Sequence, residues 1–393
     1  MRTRASQFLV FPFIWLLTVP ALSQNLASPI HRLDGSSIST AAIDDAVIRL
    51  MHAAKVPGVA IAVLNNNVVA YEKAYGYRDL QKQLPLTTSS IMTSASLTKS
   101  AFACLAMQLV EQGTLNLDKP VYEYLPKPLP EYPNYKDLAP DPRYKKITAR
   151  MLLDHTSGFP NWRRFTDDGK LSIAFEPGSR FAYSGEGIDL LQLVVETITN
   201  QSLTDLMRDR IFQPFGMTST SMISDPRFHS DVANAYDEHG RSLGPQHRSH
   251  PDAAGSMQSN IHDIARLMQA VMQGQGMSRK TRDLMLSPQI QIRSLHEFPT
   301  FSTETTDANQ SIRLSYGLGW GLYFTRYGKA FFKEGHDEGF MHYAVGFPDA
   351  GIALVIMSNS SNTEGIYKEL IETLLKNTDT PIEWEGFTPY NQK

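Results

Sequence analysis

One cysteine, Cys104, occurs in 393 residues. A single thiol forms no internal disulfide, so the chain must be held by its core alone even where thiols are oxidised. Neither sign of charge prevails: 37 Lys and Arg face 40 Asp and Glu, a net charge of -3. That balance gives no basis for nucleic acid as a partner. His52, His229, His239 and His262 are scattered without ligand spacing, and no glycine-rich phosphate loop is present. No metal or other cofactor is therefore expected. There are no internal repeats and no low-complexity segment. Beyond the N-terminus no run is apolar enough to span a bilayer. What remains is a globular composition, 42% hydrophobic and 10% aromatic, sufficient for one large or two medium domains.

The N-terminus reads as a secretory signal. Arg2 and Arg4 precede an apolar run from Phe8 to Leu22 that Pro12 and Pro20 interrupt, and Ala21-Leu22-Ser23 offers small residues for cleavage. The predicted signal peptide is 1–23, with a mature domain over 24–393 that is secreted or periplasmic and has no stable membrane insertion after cleavage.

Along the mature chain, hydrophobic spacing predicts a helix over Thr40 to Ala54, then strands over Gly58 to Leu64 and Val68 to Tyr77 joined by an Asn65-Asn66-Asn67 turn. The segment Pro126 to Pro142 is dense in proline and polar residues and is expected to be an irregular surface excursion. Helices are predicted over Ile147 to His155, Ile188 to Thr199, Leu203 to Ile211, Ile261 to Met272 and Arg279 to Leu286. Four strands follow, Tyr316 to Phe324, Lys329 to Gly335, Met341 to Phe347 and Ile352 to Ser358, and then a helix over Glu364 to Lys376. The economical arrangement is α+β: an antiparallel sheet built from both chain ends, flanked by the terminal helices, with a mostly helical second lobe. The α/β lobe is expected over about 36–90 and 300–380, the helical lobe over about 96–290, with a cleft between them.

The chemistry centres on Ser94-Ala95-Ser96-Leu97-Thr98-Lys99-Ser100, an S-x-x-K motif opening a helix that runs to Gln112. Residues three apart share a helix face, so the Lys99 amine can lie beside the Ser96 hydroxyl. A serine needs a neighbouring base to become nucleophilic, and a lysine is such a base only when burial or a nearby cation lowers its pKa. The competing reading makes Ser96 a helix cap and Lys99 a solvated first-turn residue.

Several stretches together resemble the serine β-lactamase and penicillin-binding-protein superfamily, in its class C β-lactamase-like branch of esterases, D-aminopeptidases and D,D-carboxypeptidases. They are SASLTKS, LLDHTSGFPNW, FEPGSRFAYSGEG, IFQPFGMTST, YGLGWGLY, and the end of the chain from KEGHDEGF to VIMSNS. The resemblance implies Ser96 as nucleophile, Lys99 as its base and Tyr183 as the second-motif tyrosine, relaying a proton either as a tyrosinate or in a Tyr–Lys pair. It implies a third motif at Lys333-Glu334-Gly335. Lys333 then faces the cleft, Gly335 lets the strand approach, and the amide of His336 joins that of Ser96 in an oxyanion hole. A second register puts His336 itself in the place of the family's third-motif histidine. Asp154 and His155 match a structural part of the pattern.

Two positions depart from it. Gly185 stands where many members have Asn, and Glu334 where β-lactamases have Thr. These changes point to an ester, an amide or a D-amino-acid peptide as the small-molecule substrate rather than an efficiently hydrolysed β-lactam. A true β-lactamase and a non-catalytic penicillin-binding-like sensor are the alternatives. Glu186, Glu334, Asp337 and Glu338 flank the motifs, so an acidic cleft rim favouring neutral or amine-bearing substrates is a further expectation.

Overall fold

The computed structural model describes residues 29–392. The predicted signal peptide lies outside the described residues.

Helix α1 (Thr40–Ala54) opens at Ser39, whose side chain accepts from the Ala42 N–H, and ends at Lys55 in the left-handed region (φ 57°). Strands β1 (Gly58–Asn65), β2 (Val68–Asp79) and β3 (Leu84–Pro85) follow. The middle of the chain carries α2 (Leu97–Glu111), α3 (Ala149–Leu153), α4 (Gly185–Thr199), α5 (Leu203–Met207), α6 (Ile261–Gln273) and α7 (Arg279–Met285). The last third adds β4 (Ile290–Gln291), β5 (Ser315–Tyr316), β6 (Gly321–Thr325), β7 (Gly328–Asp337), β8 (Phe340–Phe347), β9 (Ile352–Ser358) and α8 (Glu364–Leu375).

These nine strands form one antiparallel sheet in the order β4-β5-β6-β7-β8-β9-β1-β2-β3. The chain ends meet at β9 and β1, where Ile356 pairs with Ile61. Residues along β1 are buried throughout because both faces of the sheet are covered. Alternation divides them. Ala60, Ala62 and Leu64 join α2 and α6 in one core, while Val59, Ile61 and Val63 pack with α1 and α8 in the other. The α+β class, the sheet made from both ends and the terminal helices on one face are as the sequence implies. The sheet reaches back to Ile290, ahead of the expected start of its second half. None of the helices among the described residues is long and apolar enough to cross a membrane.

Three elements differ from expectation. The strand predicted over Tyr316 to Phe324 is broken after Tyr316. Gly319 adopts φ 86° there, and a Cβ on it would lie 2.3 Å from Ala103 Cβ. Ser100 Oγ donates to Gly319 O at 2.8 Å, so this glycine turn seats α2 instead of extending the sheet. The helix predicted over Ile147 to His155 is trimmed to α3, because Thr148 caps its start and His155 turns left-handed (φ 59°). The proline-rich segment is ordered as short 3₁₀ turns, including Leu129–Glu131 and Pro133–Leu138. Prolines pre-set φ at the start of these turns, and Leu129, Tyr135 and Leu138 anchor them in the core.

One detail of register sets up the cleft. β6 pairs with β7 only from Gly328 to Phe332. From Lys333 to Asp337, β7 runs on with β8 as its only strand partner among the described residues. Its outer edge is therefore free where it passes the start of α2.

Candidate active site

Ser96 stands at the N-cap of α2, but its side chain makes no capping hydrogen bond. Ala95 before it is held at φ 48°, an uncommon conformation for a residue with a side chain. The segment is pinned on both sides: Ser94 N–H donates to Met257 O at 2.7 Å, and Thr98 Oγ1 donates to Ala95 O at 2.6 Å. The Ser96 hydroxyl is thus presented to the cleft rather than spent on the helix.

Lys99 is 1% exposed. Its Nζ donates to Ser96 Oγ at 3.0 Å and to Ala254 O at 2.6 Å. The capping serine and solvated lysine of the competing reading are both absent. Burial, and after it the Lys333 ammonium, push the Lys99 pKa down from 10.5 to about 8, against the pull of Asp252, Glu334 and Asp189. Asp252 also fixes the backbone that holds Lys99, since Ala254 N–H donates to Asp252 Oδ1 at 2.6 Å. The free base of Lys99 increases as pH rises through this value. If it is the base, kcat/KM climbs about tenfold per pH unit below pH 8 and levels off above it. An acid limb in the pH–rate profile measures this; a profile flat from pH 6 to 9 contradicts it.

Tyr183 precedes α4 and is 2% exposed, and its hydroxyl is buried with no well-formed hydrogen bond. Its ring lies under both ammonium groups, 5.1 Å from Lys99 Nζ and 4.6 Å from Lys333 Nζ. Burial, reinforced by Glu334, holds the phenol well above its usual pKa. Of the two forms considered for the relay, the electrostatics favour the neutral phenol paired with a lysine over a tyrosinate. His155, 1% exposed, packs on the Tyr183 ring at 4.4 Å between centroids, and its Nδ1 accepts from the Ser184 N–H at 3.2 Å. Burial and the two lysines keep it neutral. It supports the tyrosine from behind.

The third motif lies on the free edge of β7. A Cβ on Gly335 would come within 2.7 Å of Ser94 O, so only glycine allows β7 this close to the nucleophile segment. Lys333 is 2% exposed and forms a buried ion pair with Glu334. His336 is exposed and lines the cleft. In a hairpin with the two-residue turn Glu338-Gly339, Asp337 and Phe340 exchange hydrogen bonds and the next pair does not. That alternation turns the His336 amide outward, to the free edge. In the K-x-G register the lysine stands over the Tyr183 ring and the outward amide lies on the edge that Gly335 brings to the Ser94 segment.

The departures have physical partners. A Cβ on Gly185 would lie 2.7 Å from the Trp162 indole, so the tryptophan fills the space that a side chain there would need. Trp162 also stands 5.5 Å from Lys99 Nζ. Of the acids the motifs suggested, Glu334, Asp337 and Glu338 line the cavity, and most of their charge is already met. Glu186 is bound by Arg163 at 2.6 Å, Asp337 is paired with Arg248, Glu334 with Lys333, and Glu338 is exposed.

Sequence reasoning missed Trp162, Ala254 and Glu297. Ala254 acts through its carbonyl, which no side-chain pattern reports. Glu297 belongs to a stretch without periodicity. Trp162 lay inside a matched motif, and its bulk beside a helix-starting glycine was the available signal.

These elements meet in a cavity of about 1210 Å³ over Ser96. Similarity agrees with the geometry. A β-lactamase family model matches residues 43–375. Penicillin-binding protein 4* of Bacillus subtilis (strain 168) is 24% identical over 337 residues, covering 77% of this chain and 68% of that protein. Protein flp of Staphylococcus aureus (strain COL) is 28% identical over 194 residues, 46% of this chain, and the match spans 37% of that protein's length. Among solved structures, the octameric penicillin-binding protein homologue from Pyrococcus abyssi superposes with a TM-score of 0.68 at 23% identity, over 83% of this chain and 74% of that one. The D-alanine carboxypeptidase AmpC from Burkholderia cenocepacia gives a TM-score of 0.65 at 21% identity, over 81% of this chain and 93% of that one. The chain belongs to the β-lactamase family of the serine hydrolase and penicillin-binding-protein superfamily.

Proposed function

We propose that the protein is an exported serine hydrolase that works through an acyl-enzyme on Ser96 and cleaves esters or amides, D-amino-acid peptides among them, in preference to β-lactams. The observation that carries this reading is the Lys99 amine, buried and 3.0 Å from a serine hydroxyl that caps nothing.

Neutral Lys99 takes the Ser96 proton as Oγ attacks the carbonyl. The amides of Ser96 and His336 hold the oxyanion that forms. The neutral Tyr183 phenol passes a proton to the departing amine or alkoxide and recovers one from Lys99. Water, deprotonated by the same pair, then attacks the ester and releases Ser96. Each turn consumes one water and yields one acid and one amine or alcohol.

Two observations support esters or peptides over β-lactams. Trp162 occupies the space beside Gly185, and Glu334 neutralises Lys333, the cation nearest Tyr183. The name of the AmpC neighbour adds D-alanine peptides to the substrates worth testing. Export rests on Arg2, Arg4 and the apolar run that follows.

The test uses protein recovered from periplasm or medium, which should begin at Gln24. Its kcat/KM for a p-nitrophenyl ester or a D-alanyl amide should exceed that for a penicillin by about tenfold or more, since a lost polar contact in a buried site is worth at least that. Faster penicillin turnover contradicts the preference. A protein that retains Met1 and partitions with membranes contradicts export.

A further inference from the structure

The cavity continues past Ser96 to a second group of acids, Glu297, Glu334 and Glu385. All three are buried, at 5%, 6% and 6% exposure. Glu334 is satisfied by Lys333. Glu385 accepts from the Tyr343 hydroxyl at 2.9 Å through Oε2, while its Oε1 is buried with no hydrogen-bond partner. Glu297 is fixed by its main chain, the N–H donating to Trp384 O at 2.9 Å. Its carboxylate has no hydrogen bond or ion pair among the described residues.

Buried carboxylates without a partner are costly, and proteins retain them where a ligand completes them. The cations around the cavity are already engaged. Lys99 is bound to Ser96 and Ala254, Lys333 to Glu334 and Arg248 to Asp337, and Arg164 lies 4.6 Å over the Trp162 ring. Burial and then the neighbouring glutamates push Glu297 and Glu385 well above the usual carboxylate range, against the pull of Lys333 on both, so protons stand in for a cation. A primary ammonium brings three donors to the same oxygens and displaces those protons.

We propose that Glu297 and Glu385 form an ammonium subsite, and that the preferred substrates are amino-acid amides or esters with a free amino group. The proposal rests on the Ser96 acyl-enzyme reading for its chemistry, but the subsite can be measured without turnover. Phe298, next to Glu297, packs on the Tyr183 ring at 5.8 Å between centroids, which ties the subsite to the catalytic tyrosine.

The experiment has two arms. In the first, kcat/KM is compared for D-alanine p-nitroanilide and its N-acetyl counterpart. The free amine should be favoured about tenfold or more, and Glu297→Gln or Glu385→Gln should each cut that ratio about fivefold or more, mainly through KM, as loss of a buried charge-assisted bond predicts. In the second arm, Ser96→Ala protein is titrated calorimetrically with D-alaninamide and with N-acetyl-D-alaninamide. Only the first should bind, and more weakly when Glu297→Gln is added. Equal binding of the two, or a preference for the N-acetyl compound, overturns the subsite even if a glutamate variant fails to fold. If Ser96 is labelled by a fluorophosphonate but the substrate ratio is near one, the subsite fails alone. If Ser96 is not labelled, the acyl-enzyme reading fails, and the calorimetric arm still decides the subsite.

Discussion

Ser96→Ala should lower turnover of a p-nitrophenyl ester by about 10³-fold or more, the scale on which loss of a nucleophile is felt when the rest of the site survives. The fold should not notice. A capping serine replaced by alanine costs about 0.5–2 kcal/mol, but Ser96 makes no capping bond, so that loss does not arise here. Lys99 Nζ loses Ser96 Oγ as a partner but keeps its bond to Ala254 O. Circular dichroism and the melting temperature should therefore match wild type. Residual turnover above roughly a tenth of wild type, with the fold intact, would mean that another group attacks the carbonyl.

The second large effect belongs to the relay. Lys99→Met keeps the buried volume and removes the amine, and Tyr183→Phe removes one buried hydroxyl. Each should lose about 10²-fold or more in kcat, the typical worth of a positioned acid or base. Lys99 Nζ donates to Ser96 Oγ and stands 5.1 Å from the Tyr183 ring centroid, so the groups are placed to act as a unit. The double variant should then be little worse than the worse single one. Losses that multiply would show two independent roles. The loss in Tyr183→Phe should persist at pH 9, because burial and Glu334 keep the phenol neutral there. A loss confined to high pH would favour a tyrosinate.

Much of this arrangement was legible in the sequence. Period-two and helical spacing located α1, β1, β2 and the run from β7 to α8, since the burial that fixes those elements also fixes their pattern. Ser96 and Lys99 were legible because a helix turn sets their separation. The glycine at 319 was harder to read. Its φ of 86° and its contact with Ala103 depend on a distant helix, so a strand pattern ran through it unbroken. The proline-rich segment misled for a related reason: Tyr135 and Leu138 face a core that local composition does not reveal. The third-motif acids Glu334, Asp337 and Glu338 do line the cavity, as their place in the sequence implies, but their partners were not legible there. Asp337 and Glu186 lie next to the motifs and are taken by Arg248 and Arg163, whereas Glu297 and Glu385 come from unmarked segments and reach the cavity only in the fold.

The central claim is that Ser96 is the nucleophile. Intact mass spectrometry after exposure to a fluorophosphonate tests it most directly, on wild type, Ser96→Ala and Lys99→Met. Wild type should gain one phosphonyl group, mapped by peptide analysis to Ser96, with Lys99→Met labelled much more slowly and Ser96→Ala unlabelled. Equal labelling of wild type and Ser96→Ala, or an adduct mapped to a different residue, would contradict it.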